Sequence, residues 1–212
     1  MTIALPRLDR STAEDRGITL ADFLVPIRVG ERTPTRLRHV VLIVAGALIV
    51  ALSARIVIPM SPVPFTGQTF GVLLVGGALG FRRGAAALLL YLAIGALGVP
   101  VYAEDGRGVG TLMGVTGGYL IGFAVAAAIV GRLAELGWDR RIGGSLAAMA
   151  IGTAVIYAIG VPWLKFAADL PWNVAVAEGM TKFLIWDAAK LTVAAGLFPV
   201  AWWLIDRRPD NR

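Results

Sequence analysis

Lys182–Ile205, KFLIWDAAKLTVAAGLFPVAWWLI, is the stretch that decides what kind of fold this chain can have. It is apolar and long enough to cross a bilayer, which takes about 20 residues, yet Asp187 and Lys190 sit inside it. A charge at the centre of such a helix costs roughly 2.5–3.5 kcal/mol on insertion scales. The i, i+3 spacing puts both residues on one face. An ion pair buried only for structure often does no better than break even, whereas ionisable residues within a membrane are functional by default. The stretch reads as a spanning helix that carries ligand contacts, with Lys182 snorkelling from its end.

Five more apolar runs precede it: Val40–Ile58, the short Thr69–Leu79, Gly84–Val99, Tyr119–Leu133 and Ile142–Leu164. The 212 residues are 57% hydrophobic and only 16% charged, with a mean hydropathy of +0.74. Soluble domains carry about 25% charge, so lipid is the solvent for most of this surface. Basic residues set the orientation. With the N-terminus inside, the inner segments hold Arg28, Arg32, Arg36 and Arg38, then Arg82 and Arg83, then Arg132, Arg140 and Arg141, then Arg207, Arg208 and Arg212, while the outer loops hold only Arg107 and Lys165. Trp163 and Trp172 fall at outer ends and Trp138, Trp202 and Trp203 at inner ends, as interfacial aromatics do. The expected fold is an all-α membrane protein of six transmembrane helices with both termini cytoplasmic. It has a basic arm over 1–37, a transmembrane domain over 38–206 and a short basic tail over 207–212. Within the arm, Ile18, Leu20, Phe23, Leu24 and Ile27 form an apolar patch expected to touch the membrane surface or to stay disordered. No cleavable signal peptide is expected, because the first long run is too far in and too long.

Two outer loops join Asp187 and Lys190 as candidates for chemistry. Pro59–Gln68 has three prolines, Pro59, Pro62 and Pro64, which rule out a helix and fix an extended path. It ends in Thr66 and Gln68, which can hydrogen-bond a ligand. Gly98–Gly118 is glycine-rich and carries Tyr102, Glu104, Asp105, Arg107 and Thr116. Its exposed amides can meet an anion or a carbonyl. A loop of that length without structure of its own is functional or disordered. On the first span, Gly46, Ala47, Ala51, Ser53 and Ala54 allow close helix approach, either inside the bundle or to another membrane subunit.

Several classes are excluded. There is no cysteine, and the one histidine, His39, lies among arginines before the first span. No metal or cofactor is called for. The net charge of +6 falls between apolar runs, so it reads as topology and not as nucleic-acid binding. The only serines are Ser11, Ser53, Ser61 and Ser145, His39 is expected at the opposite face from the glycine-rich loop, and Asp187 has no second membrane carboxylate, so hydrolytic enzymes fit poorly. A purely structural membrane subunit does not explain a buried polar pair beside a glycine-rich loop. With no G-x-x-x-x-G-K-[ST] sequence, the chain does not hydrolyse ATP itself.

Taken together, Pro62–Thr69 (PVPFTGQT), Gly114–Phe123 (GVTGGYLIGF), Arg83-Gly84, Gly95–Val101 (GALGVPV) and Asp187–Lys190 (DAAK) resemble the BioY family, the biotin-specific substrate-binding components of energy-coupling-factor (ECF) transporters. The resemblance runs from about Ala47 to the end of the sixth span. It implies a six-helix S-component-like bundle in a prokaryotic plasma membrane, with biotin held near the outer surface under the first and third loops. It implies as partners a transmembrane coupling subunit, docked on the Ala47 and Ala51 face, and two ATPase subunits. It points to Asp187 and Lys190 as biotin contacts; by the chemistry of biotin, Asp187 can accept from the ureido N–H groups, and Lys190 can hold Asp187 and donate to the ureido carbonyl. Arg107, Gln68 or loop amides are expected at the carboxylate, and Tyr102, Tyr119 or Trp186 around the rings, with Asp105, Thr116 and Gly118 nearby. The chain departs from the family at Gly67, usually large and apolar, at Val115, usually proline, in its long basic arm, and at Glu104, Asp105 and Arg107, where the loop is usually neutral. A component for another vitamin is the alternative within the same class.

Overall fold

The structure is a computed structural model that describes residues 19–24 and 32–206. Eight helices account for most of it: α1 (Ala21–Leu24), α2 (Arg32–Ser53), α3 (Gln68–Ala96), α4 (Gly108–Met113), α5 (Gly117–Glu135), α6 (Ile142–Ala167), α7 (Trp172–Gly179) and α8 (Leu184–Asp206). Among the described residues, five helical stretches are long and apolar enough to cross a membrane: Arg36–Ser53, Gln68–Ala96, Gly117–Glu135, Ile142–Ala167 and Trp172–Ile205.

The second and third predicted runs are thus one helical stretch by continuity, but they do not lie in one line. Gly80 has φ 81° and ψ −179°, a conformation nearly closed to residues with a Cβ. The chain folds back there. A Cβ on Gly84 would lie 3.1 Å from the Cα of Gly76, and Gln68 Nε2 donates to the Tyr91 hydroxyl at 2.6 Å. In a straight helix, residues 68 and 91 would be about 35 Å apart. α3 is therefore a helical hairpin. The carboxylate of Glu135 accepts from the Phe81 N–H at 2.9 Å, which satisfies a donor exposed where the second arm begins.

α3 packs on α2 and α5, α5 on α6, and α6 on α8, which returns to α3. Two apolar clusters fill the interior. One, around Val50, Val72, Leu88 and Tyr91, extends toward the proline and glycine loops. The other gathers Leu73, Val130, Met149, Phe198 and Trp202 at the end that carries the arginines. Leu20 and Phe23 belong to this second cluster, and the Phe23 ring meets Trp202 edge-on at 5.5 Å. This corrects the expectation for that part of the arm, which packs on the bundle itself. Asp22 ties it down by accepting from Arg38 at 2.8 Å and from Arg83 at 2.9 and 3.0 Å. Ile18 and Ile27, like the tail over 207–212, lie outside the described residues. The first long helix begins at Arg32, earlier than the predicted boundary.

The loops are more ordered than predicted. Val57–Ile58 (β1) pairs antiparallel with Phe65–Thr66 (β2), Val57 opposite Thr66 and Ile58 opposite Phe65, so the proline loop is the tip of a small hairpin. The Gly98–Gly118 segment holds a 3-10 turn at Ala103–Asp105 and the helix α4. α6 runs through Pro162 to Ala167, and α7 occupies much of the segment between the apolar runs Ile142–Leu164 and Lys182–Ile205.

Candidate functional site

A 3-10 turn at Thr181–Phe183 leads into α8, whose first turn carries Asp187. The residue is 6% exposed. Its Oδ1 accepts from Lys190 Nζ at 2.9 Å and from the Thr69 hydroxyl at 3.3 Å. Its Oδ2 accepts a short hydrogen bond from the Tyr157 hydroxyl, presented by α6. The Lys190 ammonium also donates to the Thr66 carbonyl at 2.7 Å and to Thr69 Oγ1 at 3.2 Å. It lies 3.8 Å from the centroid of the Phe65 ring, a favourable cation–π position. An ammonium has three N–H donors, and each has an acceptor here. A carboxylate has about four acceptor positions, and Asp187 uses three. The lysine is saturated, and the aspartate keeps capacity.

That capacity faces a cavity of about 310 Å³, at the small end of the roughly 300–1,000 Å³ typical of small-molecule sites. Asp187, Lys190, Thr66, Gln68, Thr69 and Tyr157 line one end. Phe65, Phe123, Ile156 and the Tyr119 ring form much of the wall, and Tyr102–Glu104, Gly106, Thr111, Val115 and Thr116 the loop end. The walls are positioned by hydrogen bonds that the apolar helices leave to a few polar side chains. The Tyr119 hydroxyl donates to the Gly179 carbonyl at 2.8 Å. The Tyr91 hydroxyl, which accepts from Gln68, donates to the Val101 carbonyl at 3.3 Å, and the Tyr102 hydroxyl donates to the Leu92 carbonyl at 2.6 Å. The α3 hairpin thus fixes both Gln68 and the start of the glycine-rich loop.

Six of the predicted contacts converge on this cavity: Asp187, Lys190, Gln68, Tyr119, Thr116 and Tyr102. Four others lie away from its lining. Trp186 is 63% exposed and touches the Phe65 ring only from outside. Gly118 seats α5 on α6, since a Cβ there would fall 2.2 Å from the Cβ of Trp163. Asp105 is exposed and bonded to Arg55, which also donates to the Pro100 carbonyl. Arg107 is exposed, and its backbone N–H donates to the Thr111 hydroxyl at 3.2 Å. Ala47 also departs from expectation. It is 4% exposed and belongs to the core, with Ala51 packed against that core. The small-residue stripe closes on α3, where a Cβ at Gly46 would sit 2.8 Å from a Leu79 methyl. The exposed large apolar side chains of α2 are Leu37, Val40, Val41, Val44, Leu48, Ile49 and Leu52.

Tyr157, Thr69 and Arg55 take part in ways the sequence reading missed. Tyr157 offered a signal. It is a hydroxyl in the middle of an apolar run, in a chain with four tyrosines, and a buried hydroxyl needs a partner.

A bundle of apolar helices that encloses a cavity with a reserved carboxylate at one end and aromatic walls defines a membrane-embedded protein that binds a small molecule. Residues 28–207 match the sequence profile of the BioY family. The chain belongs to that family. A biotin transporter BioY of Thermotoga maritima is 40% identical over 148 residues, 69% of this chain and 85% of that protein. A biotin transporter BioY of Rhizobium etli is 36% identical over 159 residues, 71% of this chain and 84% of that protein. The fold matches the crystal structure of the S-component for biotin from an ECF-type ABC transporter, with a TM-score of 0.73 and 20% identity over 84% of this chain and 96% of that one.

Proposed function

We propose that the chain is the biotin-binding S component of an ECF-type importer. The observation that carries the reading is the Asp187 carboxylate, buried, aimed by Lys190, Thr69 and Tyr157, and left with acceptor capacity toward an aromatic cavity. Biotin's ureido ring has two N–H donors that must be matched when water is removed, because each unmatched polar group costs about 1–3 kcal/mol. Asp187 meets them. Lys190 acts by holding Asp187, since its own protons are all engaged. Gln68 has a second amide proton for the ureido carbonyl, the first being bonded to Tyr91. Phe65, Phe123, Tyr119 and Ile156 enclose the thiophane ring. The relatives' names, biotin transporter BioY, support the same ligand. The test is binding of radiolabelled biotin to the purified protein, with other vitamins as competitors. Displacement by another vitamin at lower concentration than by biotin itself would reassign the ligand.

The same reading places the cavity end outside the cell and both termini inside, with six crossings in a prokaryotic plasma membrane, the α3 hairpin supplying two. The alternation of basic and non-basic segments supports it. A coupling subunit and two ATPases complete the importer, because the chain has no phosphate-binding loop of its own. Single cysteines replacing Gly106 and Asn173, in a chain with no natural cysteine, should react with an impermeant thiol reagent outside intact cells. Cysteines replacing the exposed Arg82 and Arg141 should not. Labelling at 82 from outside would invert the protein and remove the capture role.

A further inference from the structure

Behind the ligand cavity, between α6 and α8, lies a second concavity of about 580 Å³. Ala150, Ala154 and Ala158 of α6 and Ala188 of α8 line it, small side chains that leave the crevice between the two helices unfilled. All four are exposed, and in a chain that spans a membrane they are exposed to lipid. Pro162 and Trp172 line one end. From Ala150 to Pro162 an α-helix rises about 18 Å. One leaflet of hydrocarbon, half of a core about 30 Å thick, is about 15 Å. The crevice therefore has the length of one leaflet.

A cation stands at that end. Lys165 follows Pro162 by three residues, which puts it on the same side of α6. It belongs to the end of α6 that Trp163 ties to the glycine-rich loop by donating to the Gly114 carbonyl at 2.9 Å. The ammonium lies 4.6 Å from the centroid of the Phe166 ring and 5.7 Å from that of Trp172. Among the described residues, no carboxylate or carbonyl accepts from it. The chain's two other lysines both have such acceptors. Lys182 has Glu178 and the Ser61 carbonyl, and Lys190 has Asp187 and the Thr66 carbonyl. Lys165 is also one of only two cations in the loops expected outside.

We infer that the crevice is a phospholipid site, with one acyl chain between α6 and α8 and the lipid phosphate on Lys165. A lysine meets phosphate as a point charge, and Trp172 is the amphipathic ring expected beside a headgroup. A flexible chain fills a narrow, irregular concavity through dispersion contacts, which a helix about 10 Å across cannot enter. The site also reaches the ligand. Tyr157 and Asp187 line both the crevice and the ligand cavity, and the hydrogen bond between them is the partition. A chain in the crevice packs against the rear of that pair and keeps water from it, and a hydrogen bond is stronger in low dielectric. Lipid and biotin therefore bind cooperatively.

The cooperativity rests on the biotin reading, and the lipid site does not. Full-length protein purified in a mild detergent is titrated with dioleoylphosphatidylglycerol, and bound lipids are counted by native mass spectrometry without and with saturating biotin. One phosphatidylglycerol should outlast the others as the complex is activated. Ala158→Leu, which fills the crevice from an exposed position, should lose that lipid. Lys165→Gln should weaken it about fivefold, the upper scale of an exposed charge pair, and Lys165→Arg should restore it. Biotin should tighten the retained lipid, and the lipid should tighten biotin in equilibrium binding by the same factor, about fivefold. Lipid retention unmoved by both Ala158→Leu and Lys165→Gln in folded protein would overturn the site. So would a dimer that Ala158→Leu dissociates, since a second copy would then cover the crevice. A retained lipid that leaves biotin affinity unchanged would overturn the cooperativity alone. Failure of folded native protein to bind biotin would overturn the biotin reading and the cooperativity with it, and lipid retention would still decide the site.

Discussion

Asp22 and Asp187 are both largely buried carboxylates held by cations, at opposite ends of the molecule, and they are used differently. Asp22 accepts five hydrogen bonds, from the Thr19 N–H and hydroxyl, from Arg38, and twice from Arg83. No acceptor position is left over, and the result is attachment of Thr19–Leu24 to the bundle. Asp187 accepts three, from Thr69, Tyr157 and Lys190, so its environment aims it without exhausting it. A buried charge that is fully matched within its own chain is structural. One that is oriented but incompletely matched and faces an open volume is reserved for a ligand.

The sharpest break of this contrast is Asp187→Asn, which keeps the shape and removes the charge-assisted acceptor. Biotin affinity should fall at least about tenfold while the protein stays folded. Unchanged affinity by equilibrium binding would place Asp187 with Asp22 as a structural group. The reciprocal change, Asp22→Asn, should cost about 2 kcal/mol of stability in thermal or denaturant unfolding and leave biotin affinity unaltered. Loss of affinity in step with stability would show that the two ends are coupled. Tyr157→Phe sharpens the contrast more gently. Asp187 keeps Lys190 and Thr69 but loses its Oδ2 partner, and biotin should bind about three- to fivefold more weakly. A larger loss than for Asp187→Asn would make Tyr157 the direct contact.

The arginine-bearing end also supplies a pH test. Burial works against ionisation of Asp22, but its hydrogen bonds from Arg83 and Thr19 and the Arg83 charge outweigh it, and its pKa is lowered. Its contribution is present above the unfolded value and lost as pH falls through the lower folded one. Asp139 is the reverse. Burial raises it from 3.8 to about 6, against the Trp202 hydrogen bond and the Arg140 charge. Its contribution is fully present below the unfolded value and lost as pH rises through about 6. Between pH 4 and pH 7, native protein should lose stability relative to Asp139→Asn, and a flat difference would show that the carboxyl ionises freely.

Much of this fold is legible because lipid makes charge expensive. Apolar runs and the basic residues between them mark the helices, and Phe81-Arg82-Arg83 after Leu79 marks the turn of the hairpin. Asp187 and Lys190 stand out for the same reason. Which face of α2 turns inward is not legible, because core and lipid are equally apolar and Ala47 suits either side. Trp186 shows a related ambiguity, since one position along a helix from Asp187 is a rotation of about 100°, and it points out. Arg55 is hidden inside an apolar run, with its partner Asp105 fifty residues away. Thr69 and Tyr157 belong to types common in such helices, and only tertiary structure shows that both reach one carboxylate.

The turn at Gly80 has a consequence for how the chain enters a bilayer. The first arm of the α3 hairpin, Gln68 to Leu79, is about 18 Å long at 1.5 Å per residue, far short of a hydrocarbon core about 30 Å thick. Inserted by itself it would leave lipid against polar backbone or headgroups against its apolar side chains. By this argument the first arm is expected to enter beside the arm that follows, as one unit where the sequence shows two runs, and the glycine that permits the fold-back sets the size of that unit.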